Sequence, residues 1–375
     1  MWSTKEGSTG RLAQLCFGYF FFYVITGVTV KYFQGKPQDG FPGMNGMEFL
    51  LYSTAGGTLL CLFVAVAFGW YRMESSRYYQ WAGVRWPQEI SYIIPSGICT
   101  AVVIPTTTLM YSLLPSVMVA MVIMRGSVIV ISRLVDALQI RQGILKKKVY
   151  WEEDVAVLFA IAAVCVNVIG GARGGFEFLR STAALAVLGS YVLAYLIRIY
   201  LMNYYKNTRG KGVKQDNKGF FALEQIVSSI FLLTACLFLF FAPPSLGGDM
   251  AEVIQLREAV TSPKEPWPGA ILAGMAFGAV AFFSVFIFMF KGRTATFAGL
   301  VNRLTSLIAG TTATLISHFT LGDRFPALKD WVALGLILVA VAFLTKGERK
   351  RARELISAAA EEQGNAQRAP IARAS

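Results

Sequence analysis

Apolar runs of about twenty residues, separated by short polar connections, dominate the chain. Ten can be traced, over residues 12–32, 47–70, 89–112, 115–135, 154–172, 182–204, 220–242, 268–290, 294–317 and 328–345. At ~1.5 Å of rise per residue such a run covers the ~30 Å hydrocarbon core of a bilayer. The pattern therefore predicts an all-α polytopic membrane protein with ten transmembrane helices. The first run is too long and too aromatic for a signal peptide, and no small-x-small cleavage site follows it, so it counts as a spanning helix. Two polar stretches lie outside the runs. Residues 139–153, IRQGILKKKVYWEED, form a basic-then-acidic connection, and a tail begins KGERKRAREL at Lys346 before drifting into Ala- and Gln-rich sequence. The start of the tail can continue the last helix, with anionic lipid as partner for its charges, and the remainder reads as disordered.

The runs repeat. Glu48 opens the second and Glu224 lies early in the seventh, 176 residues on. Trp86-Pro87 precedes the third and Trp267-Pro268 the eighth, 181 on; Arg125 and Arg303 are 178 apart; Asp154 and Asp330 open the fifth and tenth, 176 apart. Five is an odd number of crossings, so the second copy enters from the opposite face and the architecture expected is two inverted five-helix repeats. The divisions are 11–173 for the first repeat, 174–181 for a glycine-rich link, 182–346 for the second repeat and 347–375 for a cytoplasmic tail, partly disordered. With the N-terminus inside, 24 of the 35 Lys and Arg residues fall on the inner side, 8 on the outer side and three deep within the runs. That asymmetry obeys the positive-inside rule and puts both termini in the cytoplasm, with an inner or plasma membrane as the expected location.

Lys31, Arg133 and Lys329 fall at the ends of runs, and the three cations deep within them are Arg125, Arg198 and Arg303. Ten residues from Pro115 to Arg125 cover about 15 Å, half the hydrocarbon thickness, where an arginine facing lipid costs at least ~2.5–3.5 kcal/mol. Arg303 lies nine residues after Thr294, as Arg125 lies nine after Ser116. No carboxylate in the sequence sits at their depth, so both are expected to face a cavity and bind the anionic part of a substrate. The bland account has each capping backbone carbonyls freed by Pro95 and Pro105 in run 3, or by Gly269, Gly274 and Gly278 in run 8, which make these two runs the irregular pair. Nearer the boundaries, Arg198 and Glu224 match in depth, and Lys31 and Glu48 hold the same relation in the first half. Each acid is a candidate for gating or coupling as well as for a plain salt bridge. Asp136, three residues after Arg133, reads as a local pair.

Composition agrees with a membrane protein and narrows the chemistry. The chain is 55% hydrophobic with a mean hydropathy of +0.53. A net charge of +13 would point to nucleic acid in a soluble chain, but here topology accounts for it, and no aromatic–basic motif of a nucleic-acid binder is present. The five cysteines lie inside apolar runs and read as buried free thiols, with no metal-site spacing. The single histidine, His318, reads as structural. No HExxH, P-loop or nucleophile–base arrangement occurs, so neither an enzyme nor a cofactor is expected.

With MVIMRGSVIVISRL in run 4 and TFAGLVNRLTSLIAG in run 9, the ten-run inverted plan resembles the drug/metabolite transporter superfamily (EamA-like fold), over about residues 11–346. Within it the similarity is to the nucleotide-sugar and triose-phosphate branch. Lys31 and the LIRIYLMNYYKN stretch that holds Arg198 are similar to basic positions that branch uses for substrate. The adjacent Lys-Arg or Lys-Thr pair of run 9 is absent here; Asn302-Arg303 supplies one cation. The resemblance implies alternating access and exchange of phosphorylated or nucleotide-linked compounds. The expectation is thus a secondary transporter for a small anionic metabolite, with Arg125, Arg303, Lys31 and Arg198 binding substrate and Glu48 and Glu224 gating or coupling. A proton-coupled exporter of amphiphilic drugs or lipid-linked metabolites stays open, as more remotely do an intramembrane enzyme and a scaffold.

Overall fold

The computed structural model describes residues 9–73, 75, 78–81, 84–113, 117–145, 150–169, 181–208, 215–290, 295–322 and 325–368. Most of these residues are helical. The helices are α1 (Thr9–Gln34), α2 (Gly46–Ala67), α3 (Ile90–Leu113), α4 (Val117–Arg141), α5 (Trp151–Ile169), α6 (Thr182–Thr208), α7 (Asn217–Phe241), α8 (Ala251–Thr261), α9 (Trp267–Phe288), α10 (Ala295–Leu321) and α11 (Leu328–Arg368). Among the described residues, eight are long and apolar enough to cross a membrane: α1, α2, α3, α6, α7, α9, α10 and the Leu328–Gly347 part of α11. Each of the ten apolar runs falls on one of the helices, with α4 and α5 packed among those eight. This is a multi-pass helical membrane protein.

A hairpin and a short helix have no apolar run behind them. The hairpin of β1 (Tyr78–Trp81) and β2 (Val84–Pro87) joins α2 to α3, with Tyr78 opposite Pro87 and Trp81 opposite Val84. The short α8 lies in the connection between α7 and α9, with Val253, Leu256 and Ala259 on its buried face. It is held from both sides. Tyr52 of α2 donates to the Ala259 carbonyl at 2.5 Å, and Arg257 donates to the carbonyls of Phe240, Ala242 and Gly248, capping the end of α7. Residues 174–180 of the expected 174–181 link, and the Lys146–Lys148 cluster, lie outside the described residues. α11 continues well beyond the apolar window, reaching Arg368 where the tail was expected to lose structure.

The packing pairs determine where the interior sits. α2 lies along α9, α3 against α6 and α7, and α1 against α9 and α10; α4 meets α10, α6 and α5, and α5 meets α11. The α2–α9 crossing brings backbone to backbone: a Cβ on Gly274 would collide with the Ser53 carbonyl oxygen, and one on Gly278 would come within 2.5 Å of the Gly57 oxygen. Small residues at such a crossing let two helices approach closely in lipid. The glycines of run 8 are therefore packing residues, and α9 is not interrupted. Neither is α3, which runs through Pro95 and Pro105, with the Thr106 and Thr107 hydroxyls donating to the Val102 and Val103 carbonyls, each at 2.7 Å.

The thiols depart from expectation in one respect. All five are free, but only Cys61 and Cys99 are buried, and Cys165 is exposed on α5. Residence in an apolar run does not fix which face a side chain takes, and an outward face meets lipid.

Candidate functional site

Between α1, α3, α4, α6 and α9 lies a narrow cavity of about 40 Å³, lined in part by Tyr19, Tyr23, Thr107, Arg125, Tyr195 and Arg198. At ~10–15 Å³ for each water, that is room for roughly three.

Arg125 reaches the cavity because Gly126, the next residue and about 100° further around the helix, faces α5 instead. There the missing side chain leaves room for Val164 and the Ala160 carbonyl, so α4 turns its cation inward. Arg125 Nη1 donates to the Tyr191 hydroxyl at 3.0 Å and Nη2 donates to the Tyr23 hydroxyl. Tyr23 in turn shares a 2.5 Å hydrogen bond with Tyr111. Arg125 Nε has no partner among the described residues. Arg303 is completely buried, with its guanidinium carbon 4.7 Å from the centre of the Tyr195 ring and 5.5 Å from that of Phe288. None of its three nitrogens makes a well-directed hydrogen bond among the described residues, and Tyr195 meets the guanidinium with its ring and its hydroxyl. Among the described residues neither arginine caps a backbone carbonyl, unlike what the bland account expects. The two cations instead converge on α6, at tyrosines one turn apart whose rings lie 4.7 Å from each other. No carboxylate bonds to either among the described residues.

Arg198 lines the same cavity and is anchored from behind. Its Nε and Nη2 donate to the two carboxylate oxygens of Glu224, each at 2.9 Å, and the Ser96 hydroxyl donates to Glu224 Oε1 at 2.5 Å. Matching depth on neighbouring helices thus does bring this pair together, and Glu224 is wholly buried.

The first half does not copy it. Glu48 bonds to Lys264 at 3.1 Å and, as the third residue of α2, accepts from the Asn45 backbone nitrogen at 2.9 Å in a capping box. Its carboxylate is turned back onto its own helix end, where Lys264 from the α8–α9 connection meets it. Lys31, in the last turn of α1, makes no ion pair among the described residues and does not line the cavity. Asp136 also differs from expectation. Arg133 pairs with Asp154 at 2.8 Å, whereas Asp136 accepts from the Thr296 backbone nitrogen at 2.8 Å, the Thr296 hydroxyl and the Ala295 nitrogen at 3.3 Å. A buried carboxylate gains more from the free N–H groups at a helix N-terminus than from a neighbour half-exposed on its own helix.

The tyrosines are the site residues that charge-based reading passes over. Tyr19 and Tyr23 on α1, and Tyr191 and Tyr195 on α6, are each four residues apart, and the two pairs are 172 residues apart. Tyr19 donates to Asn302 Oδ1 at 3.3 Å, beside Arg303, while Tyr23 and Tyr191 hold Arg125. The repeated Tyr-x-x-x-Tyr spacing is legible in the sequence once the repeat is known.

Fold and cavity together define a class, a multi-pass helical membrane protein with buried cations around an internal cavity. No family model and no curated protein matches the chain. A solved structure described as "Crystal structure of protein" aligns over 90% of this chain and 97% of that one, at 12% identity and a TM-score of 0.47.

Proposed function

We propose that the chain is a ten-span secondary transporter of two inverted five-helix halves, related to the drug/metabolite transporter superfamily, moving a small anionic metabolite by alternating access. The observation that carries the reading is the convergence of Arg125, on the cavity wall, and Arg303, behind it, on two tyrosines of α6, with no carboxylate bonded to either among the described residues. Two cations held together repel each other, and a bound anion removes that repulsion. The fixed planar fork of arginine suits carboxylate, sulfate or phosphate oxygens. The packing supports two related halves. Exchanging α1 with α6, α2 with α7, α3 with α9, α4 with α10 and α5 with α11 turns α3–α6 into α9–α1, α2–α9 into α7–α3, and α1–α10 into α6–α4. It leaves α4–α10 and α5–α11 unchanged, and all of these are observed packing pairs. Neither Glu48 nor Glu224 offers a free carboxylate to the cavity, the first being bonded to Lys264 and the second to Arg198, which favours an anion over an amphiphilic cation as cargo.

Thermal-shift screening of the purified protein against phosphorylated metabolites, nucleotides and nucleotide sugars tests the reading. A ligand at about 100 times its Kd stabilises by about 2.7 kcal/mol. In Arg125→Gln and Arg303→Gln the ligand-free melting temperature is expected to hold while the ligand shift disappears, and Arg→Lys should restore part of it. A shift that survives both Gln variants sinks the proposal. The topology has its own test. Cysteines placed at exposed Thr208 and Asp249, in a background without the native five, should react oppositely with an impermeant maleimide, Asp249→Cys from outside and Thr208→Cys only after permeabilisation. Equal labelling from outside rules the orientation out.

A further inference from the structure

Arg303 carries five N–H groups into a place where none of them makes a well-directed hydrogen bond among the described residues. Its Nε, Nη1 and Nη2 are buried and unbonded among the described residues, and its two nearest aromatic neighbours are the faces of Tyr195 and Phe288. A ring face attracts a cation but supplies no lone pair for an N–H, and the single hydroxyl of Tyr195 cannot serve five donors, so most of them are left unmet. A guanidinium in that condition has unused capacity for an acceptor-rich group. Of the two rings that cover it, Tyr195 forms part of the cavity wall and Phe288 does not. Arg125, by contrast, stands on the wall itself, with two of its nitrogens already on tyrosine hydroxyls and its Nε unbonded.

We infer that Arg303 is a second oxyanion station adjoining the cavity, closed in this conformation by the Tyr195 ring, so that an anion meets Arg125 first and gains Arg303 when that ring turns aside. The inference rests on the anion-binding reading above and adds an order of events and a moving part. Tyr195 is a positioning residue in this scheme. The ring stabilises the empty station by covering it and leaves when a better partner arrives. The ligand group must bring several acceptor oxygens and a negative charge, as a carboxylate, sulfate or phosphate does, because Arg303 offers only donors. The order also follows from burial: with Arg303 wholly enclosed and Arg125 on the wall, a ligand entering the cavity cannot reach them in the reverse sequence.

Glyoxal, a small dicarbonyl that condenses with guanidinium groups, reads the shutter without needing the natural substrate. The purified full-length protein is treated with it, and adducts at Arg125 and Arg303 are followed by peptide mass spectrometry. In the wild type Arg303 is expected to react at least about tenfold more slowly than Arg125, equivalent to about 1.4 kcal/mol of closure. Tyr195→Ala should bring the two rates to within about twofold, while Tyr195→Phe, which keeps the ring, should leave Arg303 protected. Tyr195→Val takes the place of the alanine variant if that protein does not fold. Inorganic sulfate is the anion probe: it should protect Arg125 in the wild type and both arginines in Tyr195→Ala. Arg303 reacting as fast as Arg125 in the wild type, or staying inert in the ring-less variants, overturns the shutter. The expected labelling pattern without any sulfate protection overturns the anion station and the reading it rests on, and leaves Tyr195 as a cover alone.

Discussion

Replacing Glu224 by leucine is expected to lower the stability of the purified protein by about 3–5 kcal/mol, the usual cost of stripping one partner from a buried ion pair. The carboxylate is wholly buried and accepts three hydrogen bonds, two from Arg198 and one from Ser96. Its loss leaves the Arg198 guanidinium charged, since arginine does not release its proton in a protein. Arg198→Leu should cost a similar amount, leaving Glu224 with Ser96 alone. The double variant Arg198→Leu with Glu224→Leu should be less damaged than the sum of the singles, because no orphan charge remains, and by the same logic it can approach the wild type. Denaturation of all four proteins in one detergent gives the coupling directly. Strict additivity would mean that the 2.9 Å contacts carry no mutual stabilisation.

A comparable loss is expected from one added methyl group at the α2–α9 crossing. The Cβ of alanine at Gly274 would meet the backbone of Ser53, with its Cα at 2.6 Å and its carbonyl carbon at 2.7 Å. Backbone cannot rotate out of the way as a side chain can, so the helices must separate along their length. Overpacking of this kind costs typically 1–3 kcal/mol and sometimes more. The control lies in the same protein. A Cβ at Gly189 in α6 or Gly335 in α11 would touch nothing within 4 Å, so alanine there should be neutral or stabilise by about 0.5–1 kcal/mol through helix propensity. A Gly274→Ala protein as stable as Gly189→Ala would show that the crossing tolerates a wider spacing than the one seen.

What the sequence made legible follows from the range of each signal. The apolar runs locate the helices because burial in lipid demands length and hydrophobicity of each segment by itself. The Arg198–Glu224 pair was legible because both residues lie within apolar helices, where a charge has few possible partners. The partners of Glu48 and Asp136 are not legible, for the opposite reason. Each sits near a helix end, where N–H groups and loop cations from distant parts of the chain compete for the carboxylate, and Lys264 and the start of α10 are 216 and 160 residues away from the acids they meet. The tyrosines around Arg125 and Arg303 were passed over because an aromatic in an apolar run carries no mark of function until a cation is placed against it. α8 lacks the length and hydrophobicity that single out a spanning run, and the β1–β2 hairpin is only eight residues of strand.

The attachment of α8 bears on how much independent freedom the loop around it has. Tyr52 and Glu48 bind the α8 region to α2 through Ala259 and Lys264, and α2 is locked to α9 through the glycine crossing. α8 also leads directly into α9 along the chain. The segment from Pro243 to Trp267 is therefore tied both to the α2–α9 pair and, through Arg257, to the end of α7. Shortening this loop would change how the ends of three long helices are braced against one another rather than free a separate flap.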